Sequence, residues 1–236
     1  MYDIDYQLTL NTLYEDLSPM GKKRVAVVLG RFQPPTAGHY EVIKKVIKFI
    51  KSNPNLGLEF SPVVVVIGGS KSDDDHSRNP LSVSDRINFM KASGNTNGVV
   101  FLTASNAFTA LSSLRDQGYE PIAVAAGSDR IDDYLSILNK HFKKPDGTEI
   151  KHYKIELPRD ENAVLTKKGE KSQALDAALN DLHKDGDIST DIISGSLARR
   201  AVELGYEKEF AEIVGLAHKP ELAKKMFSKI KSSMKE

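Results

Sequence analysis

The chain has 236 residues, 40% of them hydrophobic, a net charge of +1 and no cysteine. That length suits one α/β domain with terminal additions, and the apolar share is ample for a core. The balanced charge excludes a global attraction to nucleic acid or anionic membrane, and the missing cysteine excludes disulfides, cysteine–zinc sites and a thiol nucleophile. No apolar run reaches the ~18 residues that a membrane span needs. The expectation is a cytoplasmic protein with neither a nucleic-acid nor a membrane partner.

Residues 1–21 read as an accessory arm ending at Ser18-Pro19-Met20-Gly21. Its first twenty residues carry Asp3, Asp5, Glu15 and Asp16 and no base, the opposite of a signal peptide's start. An alternation then begins. Residues 24–30 (with Val25-Ala26-Val27-Val28-Leu29) predict a strand. Residues 38–51 predict a helix, with Tyr40, Val42, Ile43, Val46, Ile47 and Ile50 at apolar positions. The β-branched run at 62–67 suits a central parallel strand buried on both faces. A polar, acidic loop follows it, and 82–92 predicts a helix with Ser82 or Ser84 near its start.

Strands are predicted at 98–103, 121–126 and 150–157, and helices at 105–117 and 130–142. The order implies a Rossmann-like, doubly wound, parallel five-stranded sheet with helices on both faces. Right-handed crossovers would then gather binding residues at the carboxyl ends of the strands. Residues 160–190 are polar and read as an insertion with a helix at 171–184. Residues 194–235 predict further helices, the last with Leu222, Met226, Phe227, Ile230 and Met234 on one face, as core or a subunit contact. The expected division is an arm (1–21), a main domain (22–200) and C-terminal helices (201–236).

The run Gly30-Arg31-Phe32-Gln33-Pro34-Pro35-Thr36-Ala37-Gly38-His39 links the first strand to the first helix. Gly30 permits a sharp turn, the prolines hold the loop extended, Thr36 suits an N-cap, and Gly38 permits close approach of a ligand. Exposed N–H groups and the helix dipole at such a start attract phosphate. Thr36 and His39 stand one turn apart, so both can face one polyphosphate. Far downstream, Ile193-Ser194-Gly195-Ser196-Leu197-Ala198-Arg199 reads as a second capped helix start carrying a guanidinium. Either run alone is also compatible with an ordinary capped helix; together they point to a triphosphate.

The first run resembles the (H/T)xGH signature of the nucleotidylyltransferase superfamily, and its Gly-Arg-Phe-Gln-Pro opening resembles archaeal-type nicotinamide mononucleotide adenylyltransferases. Thr36 stands where the signature often has histidine, as it does in phosphopantetheine adenylyltransferases and bacterial FAD synthetases. The second run resembles the ISxSxxR element of the same enzymes. Gly68-Gly69-Ser70 followed by Asn79-Pro80-Leu81-Ser82-Val83-Ser84-Asp85-Arg86 resembles their GS…NP(F/L)(T/S)xxER stretch, with Asp85 in place of glutamate. Gly127-Ser128-Asp129-Arg130 resembles a segment of nucleotidylyltransferase-like proteins of tailed phages. The resemblance covers roughly 22–160 and 190–235.

The resemblance implies transfer of a nucleotidyl group, most readily adenylyl from ATP, to a phosphorylated acceptor such as nicotinamide mononucleotide, with pyrophosphate released. It implies His39, Thr36, Arg199 and Arg31 as catalytic residues. Gly30, Phe32, Gln33, Gly38, Ser128, Asp129, Arg130, Ser194, Gly195 and Ser196 would bind the nucleotide; Gly69, Ser70, Asn79 and Arg86 would bind the acceptor. Magnesium would arrive on the triphosphate, and homo-oligomers are frequent among these enzymes. Cytidylyl transfer to a phosphorylated alcohol, and a phage-type binding module without turnover, are the alternatives. His76, His141, His152, His183 and His218 lack ligand spacing, and Asp73-Asp74-Asp75 reads as a solvated loop, so no protein metal site is expected.

Overall fold

The computed structural model describes residues 23–68, 75–128, 130–143, 149–157, 168–185 and 193–235. Five strands, β1 (Lys23–Gly30), β2 (Val63–Ile67), β3 (Val100–Ala104), β4 (Tyr119–Gly127) and β5 (Tyr153–Leu157), form one sheet. Their order is β3-β2-β1-β4-β5 and every pairing is parallel. The doubly wound fold predicted from the alternation is therefore present. The chain reverses its winding direction between β1 and β4, which is where a crevice opens at the carboxyl end of such a sheet.

Four helices connect the strands: α1 (Ala37–Ser52), α2 (Val83–Ser93), α3 (Ala107–Asp116) and α4 (Ile131–His141). Alternate residues of β1 explain their placement. Ala26 and Val28 face a core shared with Ile43, Val46 and Ile50 of α1 and Met90 of α2. Val25, Val27 and Leu29 face Leu111 and Leu114 of α3 and Ile131 and Leu138 of α4. A strand with apolar residues on both faces must be covered twice, and here it is.

A third apolar cluster lies in the C-terminal helices α5 (Lys168–Asp185), α6 (Gly195–Leu204), α7 (Glu207–Ile213) and α8 (Pro220–Ser233). The predicted stripe of α8 belongs to it: Met226, Phe227 and Ile230 are buried, with Leu222 and Met234 packed alongside. Helix α5 differs from expectation. Leu179 and Leu182 are buried in this cluster, with Leu175 and Ala178 against it, so a helix read as an outlying insertion contributes to the core. Its stripe at i, i+3, i+4 and i+7 is narrow and flanked by charge, which lowers its mean hydropathy without removing its apolar face.

Polar contacts orient this unit on the sheet domain. Lys229 Nζ of α8 donates to Asp85 Oδ1 of α2 at 2.6 Å, and Lys219 Nζ donates to Ala92 O at 2.8 Å. Arg200 of α6 holds Asp176 of α5 through two bonds, Nε–Oδ1 at 2.7 Å and Nη2–Oδ2 at 3.0 Å. Gly215, at φ +67°, leaves its α-carbon bare against Ala37, where a Cβ would stand 3.3 Å from the Ala37 Cα. That contact presses the C-terminal unit onto the first turn of α1.

Truncating Leu179→Ala removes a fully buried side chain and should cost about 2–5 kcal/mol in denaturant unfolding. A loss below about 0.5 kcal/mol would mean that α5 does not belong to the core. Burial pushes the Asp85 carboxyl up, but hydrogen bonds from Lys229 and Ser82 outweigh it and hold it below its usual range. Its stabilising effect is thus present above the unfolded value of about 4 and lost as pH falls through the lower folded value. Urea midpoints at about pH 7 and pH 3 should therefore differ less in Asp85→Asn than in the wild type.

Candidate active site

At the end of β1 the chain enters a short loop that α1 terminates. Phe32 adopts φ +53°, an uncommon conformation for a residue with a side chain, and its ring is buried. The ring fills the space beside Gly30, where a Cβ would lie 3.0 Å from Phe32 Cζ. Its other neighbour is the imidazole of His39, with ring centroids 4.8 Å apart. A glycine, a buried aromatic ring and the histidine thus form one packed stack.

Thr36 is the N-cap of α1 and is itself buried. Its backbone N–H donates to His39 Nδ1 at 3.0 Å, and its Oγ1 stands 2.8 Å from the same nitrogen. A backbone N–H can only donate, so Nδ1 accepts and a neutral ring carries its proton on Nε2. The imidazole is thereby set as a donor through Nε2 at a helix start. The sequence placed Thr36 beside His39 on a polyphosphate; the geometry makes Thr36 the residue that orients the histidine.

The second predicted helix start lies against the same loop. Ser194 caps α6, its Oγ accepting from Leu197 N–H at 3.2 Å. Arg199 Nη1 donates to the main-chain carbonyl of Gln33 at 2.5 Å, and Nη2 donates to Ser196 Oγ at 3.2 Å. Gly195 abuts that carbonyl so closely that a Cβ would stand 2.4 Å from Gln33 O. Among the predicted residues, Gln33, Gly195, Ser196 and Arg199 are therefore in one cluster, adjoining Thr36 and His39.

Burial depresses the Arg199 guanidinium to about 10, and the cations Arg31 and Arg78 push it the same way. Glu203 and Asp75 oppose them without prevailing. Arg199 therefore has two cations, Arg31 and Arg78, and two carboxylates, Glu203 and Asp75, within electrostatic reach, and its burial dominates their effect. Arg78 carried no signal in the sequence. It follows an acidic run and pairs with Asp75 at 3.9 Å, and its influence on Arg199 arises from the fold alone.

Arg86 is held by backbone carbonyls. It is 1% exposed, and its guanidinium donates to Ser82 O at 3.2 Å, Arg31 O at 2.5 Å and Ile67 O at 2.8 Å. It ties the end of β2 and the start of α2 to the loop after β1. Gln33 makes a parallel tie, Nε2 donating to Leu81 O at 2.5 Å and Oε1 accepting from Leu81 N–H at 3.2 Å. Asn79 is buried in the same segment. Ser128 and Arg130 follow β4 at the neighbouring strand end, Arg130 exposed at the start of α4. Gly69, Ser70 and Asp129 lie outside the described residues.

Among the described residues no three His, Asp or Glu side chains gather as a metal cluster, and no helix is long and apolar enough to cross a membrane.

The family model of cytidylyltransferase-like proteins matches residues 27–145, from within β1 to just beyond α4. That stretch contains Thr36, His39, Arg86 and Arg130 and stops short of Arg199. No curated protein matches. Among solved structures, a macrolide-efflux protein from Streptococcus pneumoniae is 17% identical at a TM-score of 0.46, the match covering 85% of this chain and 57% of that one. The chain thus spans little more than half of that protein's length. Nicotinic acid mononucleotide adenylyltransferase of Plasmodium falciparum is 17% identical at a TM-score of 0.43, covering 86% of this chain and 98% of that one. A NadR protein solved with NAD and AMP-PNP is 12% identical at 0.37, covering 92% and 79%. On the family match over half of its residues, the chain belongs to the cytidylyltransferase-like family, within the nucleotidyltransferase superfamily.

Proposed function

We propose that this protein transfers a nucleotidyl group, adenylyl in preference, from a nucleoside triphosphate to a phosphorylated acceptor such as nicotinamide mononucleotide. The observation that carries the reading is the Gln33 carbonyl, which holds Arg199 against the loop that delivers Thr36 and His39. Two helix starts and three cations then share one triphosphate. An acceptor phosphate oxygen attacks the α-phosphorus in line, the bond from that phosphorus to the bridging oxygen breaks, and pyrophosphate leaves with the electron pair. Neither a covalent intermediate nor a protein nucleophile is required; catalysis is positioning and charge stabilisation.

His39 donates from Nε2 to an α-phosphate oxygen as negative charge develops there, held in that tautomer by Thr36. Arg199 and Ser196 take the β- and γ-phosphates, and Arg31 and Arg78 add positive charge at the mouth. Ser128 and Arg130, at the end of β4, contact the nucleotide or the acceptor. Magnesium, if required, would be carried by the triphosphate and would supply charge neutralisation there, so a protein carboxylate cage would not be needed. The Gly-Arg-Phe-Gln-Pro opening supports adenylyl transfer. Cytidylyl transfer to a phosphorylated alcohol is the second reading, favoured by the description of the matched family.

Pyrophosphate release from each of the four nucleoside triphosphates, against acceptors including nicotinamide mononucleotide, separates the two readings. Release with ATP and nicotinamide mononucleotide is the expected outcome; release with CTP and a phosphorylated alcohol replaces it with the second. Truncating His39→Ala should lower kcat about 10²–10³-fold, the usual cost of one donor to a developing oxyanion. Turnover within a few-fold of wild type in a folded variant would remove His39 from the chemistry. Arg199→Ala should raise the Mg-triphosphate dissociation constant at least about tenfold, since it deletes charge-assisted hydrogen bonds. An unchanged constant would sink the role given to Arg199.

A further inference from the structure

We infer that Gln33 is a positioning residue that couples Arg199, on the triphosphate side of the site, to the segment at 79–86 while making no contact with the nucleotide. The inference rests on the nucleotidyl-transfer reading above. The Gln33 side chain is 6% exposed, and its amide is matched group for group to the Leu81 peptide. A peptide offers one N–H and one C=O, so this pairing fixes which end of the amide is oxygen and locks the side chain. The same residue's main-chain carbonyl receives Arg199, with Gly195 against it. One residue therefore holds the segment after Asn79-Pro80 with its side chain and the triphosphate arginine with its backbone.

The neighbouring geometry removes the slack that would uncouple these two contacts. Arg31 O is bound by Arg86, which starts from the same segment as Leu81 and also holds Ser82 O and Ile67 O. Residues 31 and 33 are thus tied to residues 81–86 on either side of Phe32, whose positive φ and buried ring leave it little freedom. The Gln33 carbonyl cannot reorient without breaking one of these ties. A buried glutamine serving only to satisfy the core would show the side-chain bonds without the backbone contact to Arg199. Displacement of Arg199 by phosphate is instead transmitted to Leu81, and movement of the 79–86 segment is transmitted back.

Two measurements on the full chain test this. In the nucleotide-free protein, Gln33→Met should speed amide hydrogen exchange at least about fivefold in peptides covering 79–86 and also 194–204. Acceleration confined to 79–86 would overturn the coupling. In the second, Mg-ATP affinity is compared in a double-mutant cycle. Gln33→Met should weaken binding about tenfold in the wild-type background and by less than about twofold in Arg199→Ala. Equal losses in both backgrounds would show that Gln33 acts independently of Arg199 and would overturn the inference. Gln33→Glu is the second variant: it keeps the shape and the Leu81 N–H bond, places a carboxylate against Leu81 O, and should open the same two peptides. Should the wild type bind Mg-ATP yet transfer to no acceptor, the activity reading falls while both measurements still decide the coupling. Should it bind no triphosphate, the exchange measurement decides it alone.

Discussion

The bare contact between the Gln33 carbonyl and the start of α6 is the constraint on which the site depends. Arg199 Nη1 meets that oxygen at 2.5 Å, and only a residue without a Cβ fits at position 195 beside it. A buried loop carbonyl costs free energy unless a donor meets it. Here the match comes from a helix far along the chain. That geometry brings the starts of α1 and α6 together.

The charged side chains near Arg199 come mostly from distant parts of the chain. Arg31 and Arg78 act on Arg199 there, opposed by Glu203 and Asp75. Arg86 stands apart from them because carbonyl oxygens surround its guanidinium, which makes it a structural strut. The distinction is one of partners: a guanidinium already bound to backbone carbonyls holds loops, whereas one desolvated beside other cations is stabilised by an incoming anion. His39 illustrates the same economy of partners, since the bond Thr36 makes to Nδ1 decides what Nε2 can do.

The C-terminal helices serve the site by holding α6 in place. Their own core, the Arg200–Asp176 pair and the Asp85–Lys229 pair fix α6 relative to α2 and α5. The close packing of Gly215 on Ala37 does the same relative to α1. A site assembled from two parts of the chain requires the parts to be mutually rigid, because a displacement of about 1 Å is enough to disrupt catalytic geometry.

Much of this was legible from the amino-acid sequence. The five strands and the helices between them followed from apolar periodicity, because a parallel sheet covered on both faces demands continuous β-branched runs such as Val63-Val64-Val65-Val66. The two helix starts were legible because glycine, cap residues and charge at fixed spacing are local requirements of phosphate binding. The apolar face of α5 was hidden in a polar stretch. Contacts between distant segments were beyond local reading: Gln33 with Leu81 and Arg199, Arg86 with Arg31 O, and Arg78 acting on Arg199. Sequence by itself determined the fold class, since it follows from short-range pattern. Tertiary structure alone decided which arginine meets the Gln33 carbonyl, which one ties the loops through their carbonyls, and which residue bonds His39, because those partners are brought together only by folding.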